Sequence, residues 1–146
     1  VDDLSIYRGY VEPGGASEPK PSIPLVVNVD QNSVSTNEGS TAVNTGSLSG
    51  FQSKNFTVQA SVGNVDVMTD GSWIWNHVTT DNVNNQQVTI TAQDGNKTSQ
   101  ATFTYSATNL APSAQFNASA TTVTTGSPVT LQFTNVNDAG QSDSNA

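Results

Sequence analysis

From Leu25 onward the apolar residues alternate with a period of two, and no window of about eleven residues carries them at helical spacing. Successive side chains of a strand point to opposite faces, so this pattern buries one face of a sheet and leaves the other to water. The chain is therefore read as all-β. Leu25, Val27 and Val29 share one side, Asn37-Glu38-Gly39-Ser40 turns the chain, and Thr41 to Leu48 is a poorer strand offering Ala42 and Val43. Phe56, Val58 and Ala60 share the next face, and Gly63-Asn64 leads into Val65-Asp66-Val67. Thr69-Asp70-Gly71 reads as a hairpin turn, because Asp-Gly supplies the positive φ that tight connections need. Trp73 and Trp75 then fall on one face and Ile74 on the other. Thr79 to Gln86 reads as a surface loop, followed by strands carrying Val88, Ile90 and Ala92, an Asp94-Gly95-Asn96 turn, and inward Ala101, Phe103 and Tyr105. Strands at this spacing, roughly six to eight of them before Ser106, imply a two-sheet sandwich whose core is dominated by Trp73, Trp75, Phe56, Phe103 and Val88.

The flanks differ. Residues 1–10 alternate Leu4 and Ile6 and read as the last strand of a preceding module, while residues 11–23 concentrate Pro and Gly and read as a linker. The sandwich is expected over residues 24–110. Asn109-Leu110-Ala111-Pro112 ends its ladder, since proline cannot donate to one. Residues 111–146 begin a second β unit, with Ala114, Phe116 and Ala118 alternating, a Gly126-Ser127 turn, and then Val129, Leu131 and Phe133. That unit reads as truncated, with a disordered tail from Asn135 to Ala146. Val34 leading to Gly39-Ser40 is echoed by Val123 leading to Gly126-Ser127, roughly 88 residues later, about one sandwich module.

Composition narrows the chemistry. Thr, Ser and Asn make the chain polar without making it ionic: only 11% of residues are charged, and four cations stand against twelve acids for a net charge of −8. Arg8, Lys20, Lys54 and Lys97 are too few and too scattered to displace phosphate counterions, so nucleic acid is excluded as a partner. No apolar run approaches the roughly 20 residues of a membrane-spanning helix. The absence of cysteine removes disulfides, thiol nucleophiles and thiolate zinc sites. No Gly-x-Ser-x-Gly elbow, His-Glu-x-x-His pair or phosphate loop occurs, and the single histidine, His77, lies two residues after Trp75, where packing accounts for it. No enzymatic role is expected.

Thr36-Asn37-Glu38-Gly39-Ser40, Val65-Asp66-Val67 with Asp70-Gly71-Ser72-Trp73-Ile74-Trp75, Val88 to Asp94, Ala101 to Tyr105 and Asn109-Leu110-Ala111-Pro112 resemble the tandem Ig-like and cadherin-like modules of very large bacterial surface and secreted proteins. Gly126 to Phe133, followed by Asp138, resembles the opening of a polycystic-kidney-disease-type domain, and residues 1–10 resemble the closing strand of a lectin-like jelly roll. The resemblance implies an Ig-like antiparallel β-sandwich flanked by partial β modules. It further implies a non-catalytic structural or adhesive spacer, exported to the cell surface or the extracellular space, whose partners are neighbouring modules, other copies or surface glycans. Cadherins hold calcium with acidic linkers. Here the linker offers Asn109 before Ala111-Pro112 and no adjacent Asp, so the linker itself does not supply that chemistry.

Calcium needs several converging oxygen ligands. Asp70 and Asp94 precede glycines and are accounted for by turn chemistry, which leaves Glu38 and Asp138, each near a module end, as the candidate metal ligands. Trp73 and Trp75 form a sugar-stacking platform only if exposed, and the core needs them. An isopeptide staple through Lys54 or Lys97 needs a buried lysine beside a carboxylate. Two further functions stand beside the spacer: a carbohydrate-binding accessory domain of a secreted hydrolase, and a surface-layer or filament subunit that assembles by strand pairing.

Overall fold

A computed structural model describes residues 19–140; the expected strand at residues 1–10 and the final residues 141–146 lie outside the described residues. Ten strands follow one another: β1 Val26–Val29, β2 Ser33–Asn37, β3 Thr41–Ser49, β4 Thr57–Ala60, β5 Asn64–Val67, β6 Ser72–Val78, β7 Val83–Asp94, β8 Lys97–Thr108, β9 Ser113–Ala118 and β10 Leu131–Asn137. The first eight form two four-stranded sheets, ordered β1-β3-β6-β5 and β2-β8-β7-β4. The two sheets face each other as a β-sandwich. Every pairing is antiparallel except β2 with β8, which run parallel from Ser33↔Thr104 to Asn37↔Thr108.

The facing sheets enclose Leu25, Val27, Leu48, Val58, Trp73, Trp75, Val88, Ile90, Ala92, Phe103 and Tyr105. Trp75 anchors this core. Its ring meets Phe103 edge-on at 4.9 Å and Tyr105 at 5.5 Å, and its indole N–H donates to Val62 O at 2.6 Å. A large aromatic surface is thus buried with its one polar atom satisfied. Phe56 is only partly buried and packs on Phe51 at the core's edge.

Four elements depart from the sequence reading, the first being β2, a strand the alternation did not mark between Val29 and the turn at Asn37. Thr41–Ser49 is a full nine-residue strand in which Ala42, Asn44, Gly46 and Leu48 point inward and Val43 is 48% exposed. Its inner face is small because Trp73 lies across it: a Cβ on Gly46 would stand 2.6 Å from Trp73 Cε2 and would also strike Asn28 O. The expected loop from Thr79 to Gln86 shortens, because Val83 already pairs with Ala107. A bulge between Val83 and Gln86 absorbs the polar residues, with Asn85 in the left-handed region at φ 48 and its amide donating to Ser106 Oγ at 3.0 Å. Asn135 to Asn137, assigned to the tail, belong to β10, which accommodates Asn135 at φ 52 in a second irregularity.

Two pairs of the β9–β10 hairpin match the register of β1 and β3, up to the irregularity between Thr134 and Asn137. Moved along the chain by 87 residues, the pairs Asn28↔Ser47 and Val29↔Gly46 become Gln115↔Thr134 and Phe116↔Phe133, which are the pairs observed. The same step carries Gly39 onto Gly126, and both have positive φ, at 73 and 88. Phe116 and Phe133 therefore correspond to Val29 and Gly46, but in this two-stranded sheet they are 58% and 68% exposed and touch each other at 5.5 Å.

Candidate functional site

The junction between the sandwich and the second unit is where the structure brings the sequence candidates together. The turn after β2 carries Glu38. Its backbone is fixed from three sides: Glu38 N–H donates to Thr108 O at 3.0 Å, Gly39 N–H donates to Thr79 O at 2.7 Å, and Thr79 Oγ1 donates to Ser40 O at 2.7 Å and Asn37 O at 3.0 Å. Gly39 takes the left-handed conformation that this tight reversal demands. The Glu38 side chain is consequently held at the pole of the sandwich and is only 1% exposed.

One carboxylate oxygen has a clear task. Glu38 Oε1 accepts the N–H of Leu110 at 2.7 Å and so captures the chain as it leaves β8. The other oxygen, Oε2, is buried with no donor. Facing it is the segment that follows β10, where a Cβ on Gly140 would lie 2.6 Å from Oε2. Gly140 N–H donates to Asp138 Oδ1 at 3.2 Å, and Asp138 Oδ2 is likewise buried without a partner. Ala139 meanwhile lies against Gly39, on which a Cβ would come within 3.0 Å of Ala139 O. Glu38 and Asp138, separated by a hundred residues in sequence, thus both abut Gly140. Among the described residues no three His, Asp or Glu side chains come together as a metal-binding group.

The remaining candidates are placed elsewhere. Trp73 and Trp75 are 1% and 0% exposed, so the condition for sugar stacking is not met. His77 is half-buried between Trp75, at 6.1 Å, and Tyr105, at 5.3 Å, in a packing position. Burial pushes the Tyr105 phenol above its ordinary value. Lys97 donates to Ile23 O and is not buried, and Lys54 is exposed, so neither meets the requirement for an isopeptide staple. Asp70 serves its turn as expected, accepting from Ser72 Oγ at 2.6 Å and Ser72 N at 2.9 Å, which lowers its carboxyl pKa.

Asp94 does more than turn chemistry assigned to it. It is buried, and Oδ2 accepts from Gln52 N at 2.5 Å and Ser53 N at 3.4 Å, tying the β7–β8 turn to the loop after β3 on the other sheet. Sequence held no signal for that long-range bond beyond the carboxylate itself.

Among the described residues no helix is long and apolar enough to cross a membrane. The chain matches no known protein family, and no curated protein is detectably similar to it.

Proposed function

We propose that the chain is a non-catalytic structural and adhesive spacer of a large extracellular bacterial protein, built from tandem sandwich modules. The observation that supports this reading is the match, 87 residues on, of two β1–β3 strand pairs and of the Gly39 turn with β9, β10 and Gly126, as expected if β9 and β10 open a following module. Two features support it. The junction is built rather than loose, since Glu38 fixes the exit of β8 through Leu110 N–H. The exposed phenylalanines stand where a following core would bury them, and such exposed apolar surface is otherwise a liability. A surface rich in hydroxyls and amides, with a net charge of −8, keeps repeated modules hydrated and mutually repelling.

Small-angle scattering of the whole chain tests the reading. A spacer gives an extended, concentration-independent profile in which the second unit holds a fixed place beyond the Glu38 pole. A profile of uncorrelated parts sinks it. The exposed hairpin also favours a second reading, assembly of copies by strand pairing, which would appear as a mass that grows with concentration in sedimentation.

A further inference from the structure

We propose that residues 1–10 of one copy of the chain add as a strand to the free edge of β10 in a second copy, antiparallel to it, with Leu4 and Ile6 on the face that carries Leu131 and Phe133. The inference rests on the strand-pairing reading above and names the strand that does the pairing.

The acceptor is a two-stranded sheet whose faces differ. Register sets Ala118 across from Leu131 and Phe116 across from Phe133, so these four share one face, while Gln115, Asn117, Gln132 and Thr134 share the other. The polar face is knit together, with Asn117 Nδ2 donating to Thr134 Oγ1 at 2.7 Å and Asn135 Nδ2 to Gln115 Oε1 at 2.8 Å. On the apolar face Phe116, Leu131 and Phe133 are each more than half exposed. Both strands are exposed along nearly their whole length, so the hairpin does not lie against the sandwich, and two strands alone are marginally stable in water. Neither strand contains a charged residue or a proline, the usual guards of a free edge.

The matched pairs say which edge is open. In the sandwich β3 lies between β1 and β6, and β10 stands to β9 as β3 stands to β1. Among the described residues no strand occupies the side of β10 that β6 occupies on β3. Because β6 runs antiparallel to β3 and turns Trp73 and Trp75 inward, a strand in the equivalent place needs alternate apolar residues. Residues 1–10 offer them, with Leu4 and Ile6 on one side and Ser5 and Tyr7 on the other. Reach decides which copy supplies the strand. Ile23 is held at the pole opposite Glu38, where Lys97 Nζ donates to its carbonyl, and β8 runs from Lys97 to Thr108, about 36 Å at roughly 3.3 Å per step, before the chain reaches the hairpin. The proline-rich stretch from Tyr10 to Ile23 covers only about 40 Å when fully extended at roughly 3.1 Å per residue. A donor from the same copy would be drawn taut along β8 with almost no length left for the hairpin. It would also run toward the Glu38 pole, parallel to β10, since Gly140 just after β10 rests on Glu38. A second copy meets neither restriction.

Each copy then offers one donor and one acceptor, so the contact propagates head to tail. The test is sedimentation velocity of the 146-residue chain over a concentration series, with Ile6→Lys blocking the donor and Phe133→Lys blocking the acceptor. Phe133 lies outside the sandwich core, and dispersed amide spectra of both variants confirm that they fold. The parent's mass should grow with concentration, and each variant should weaken association about tenfold or more. An equimolar mixture of the two variants should form a species that stops at two copies, because one intact donor meets one intact acceptor. Growth that survives Ile6→Lys but not Phe133→Lys overturns the donor and leaves strand pairing through the hairpin standing. Growth that survives Phe133→Lys overturns the acceptor, and variants that fail to pair in the mixture overturn the donor–acceptor contact. A parent that remains monomeric at every concentration removes this inference together with the strand-pairing reading and leaves the spacer.

Discussion

Gly46→Ala is a single added methyl whose cost follows from the structure. The new carbon would meet Asn28 O on β1 and the benzo ring of Trp73 on β6, with Cε2 at 2.6 Å. Overpacking a core costs about 1–3 kcal/mol, and the upper end applies because one obstacle is backbone and the other is a fully enclosed ring. Against this, alanine restricts the unfolded chain more than glycine does and returns about 0.4–1 kcal/mol. The net expectation is a loss of about 2 kcal/mol, or roughly 8–16 °C in thermal midpoint for a sandwich of this size. The partner substitution is Trp73→Phe, which removes both ring atoms that the methyl would strike and also the unpartnered indole N–H. Combined, the two changes should cost less than their sum by at least about 1 kcal/mol, because each relieves the other. Chemical denaturation monitored by far-UV dichroism supplies all four corners of the cycle. Strict additivity, or a Gly46→Ala variant within about 0.5 kcal/mol of the parent, would refute the account of why the inner face of β3 is small.

Asp94→Ala removes the acceptor for Gln52 and Ser53 amides from a buried site and should cost about 1–3 kcal/mol, with hydrogen exchange accelerating at those two amides first. Asp70 should leave a signature in acid. Its carboxyl titrates below the ordinary 3.8 because Ser72 Oγ and N–H bond to the ionised form, so its contribution is complete above that value and disappears as pH falls through the lowered one. The difference in midpoint between the parent and Asp70→Ala should therefore hold steady near neutrality and close in acid; a difference that widened there would contradict the assignment. Acrylamide should scarcely quench tryptophan fluorescence in the folded chain, since both indoles are enclosed, and efficient quenching would show that the core is misplaced.

Period-two alternation made most of the sandwich legible because each strand with large inward residues announces its own face, whereas β2, with Val34 as its one large apolar residue, was not assigned as a strand. It failed at β3, where the inward set is Ala42, Asn44, Gly46 and Leu48: Gly46 is small because of Trp73, a residue far along the chain, and no local window contains both. The loop before β7 misled for a related reason. Asn84 and Asn85 look like a turn, but a bulge can hold them inside a ladder once β8 is alongside. At the junction, sequence singled out Glu38 and Asp138 by their nearness to module ends. What it could not contain was the fold of Gly140 against Glu38, which brings both acids against one glycine.

The parallel pairing of β2 with β8 has a mechanical consequence. Both strands run toward the Glu38 pole, β2 close to where the chain enters the sandwich and β8 where it leaves. Traction applied to the two ends pulls them in opposite directions along their common axis, so the ladder is loaded in shear. All five registered positions must then yield together rather than peel apart one by one. A module threaded this way resists stretching well beyond what its equilibrium stability alone would suggest.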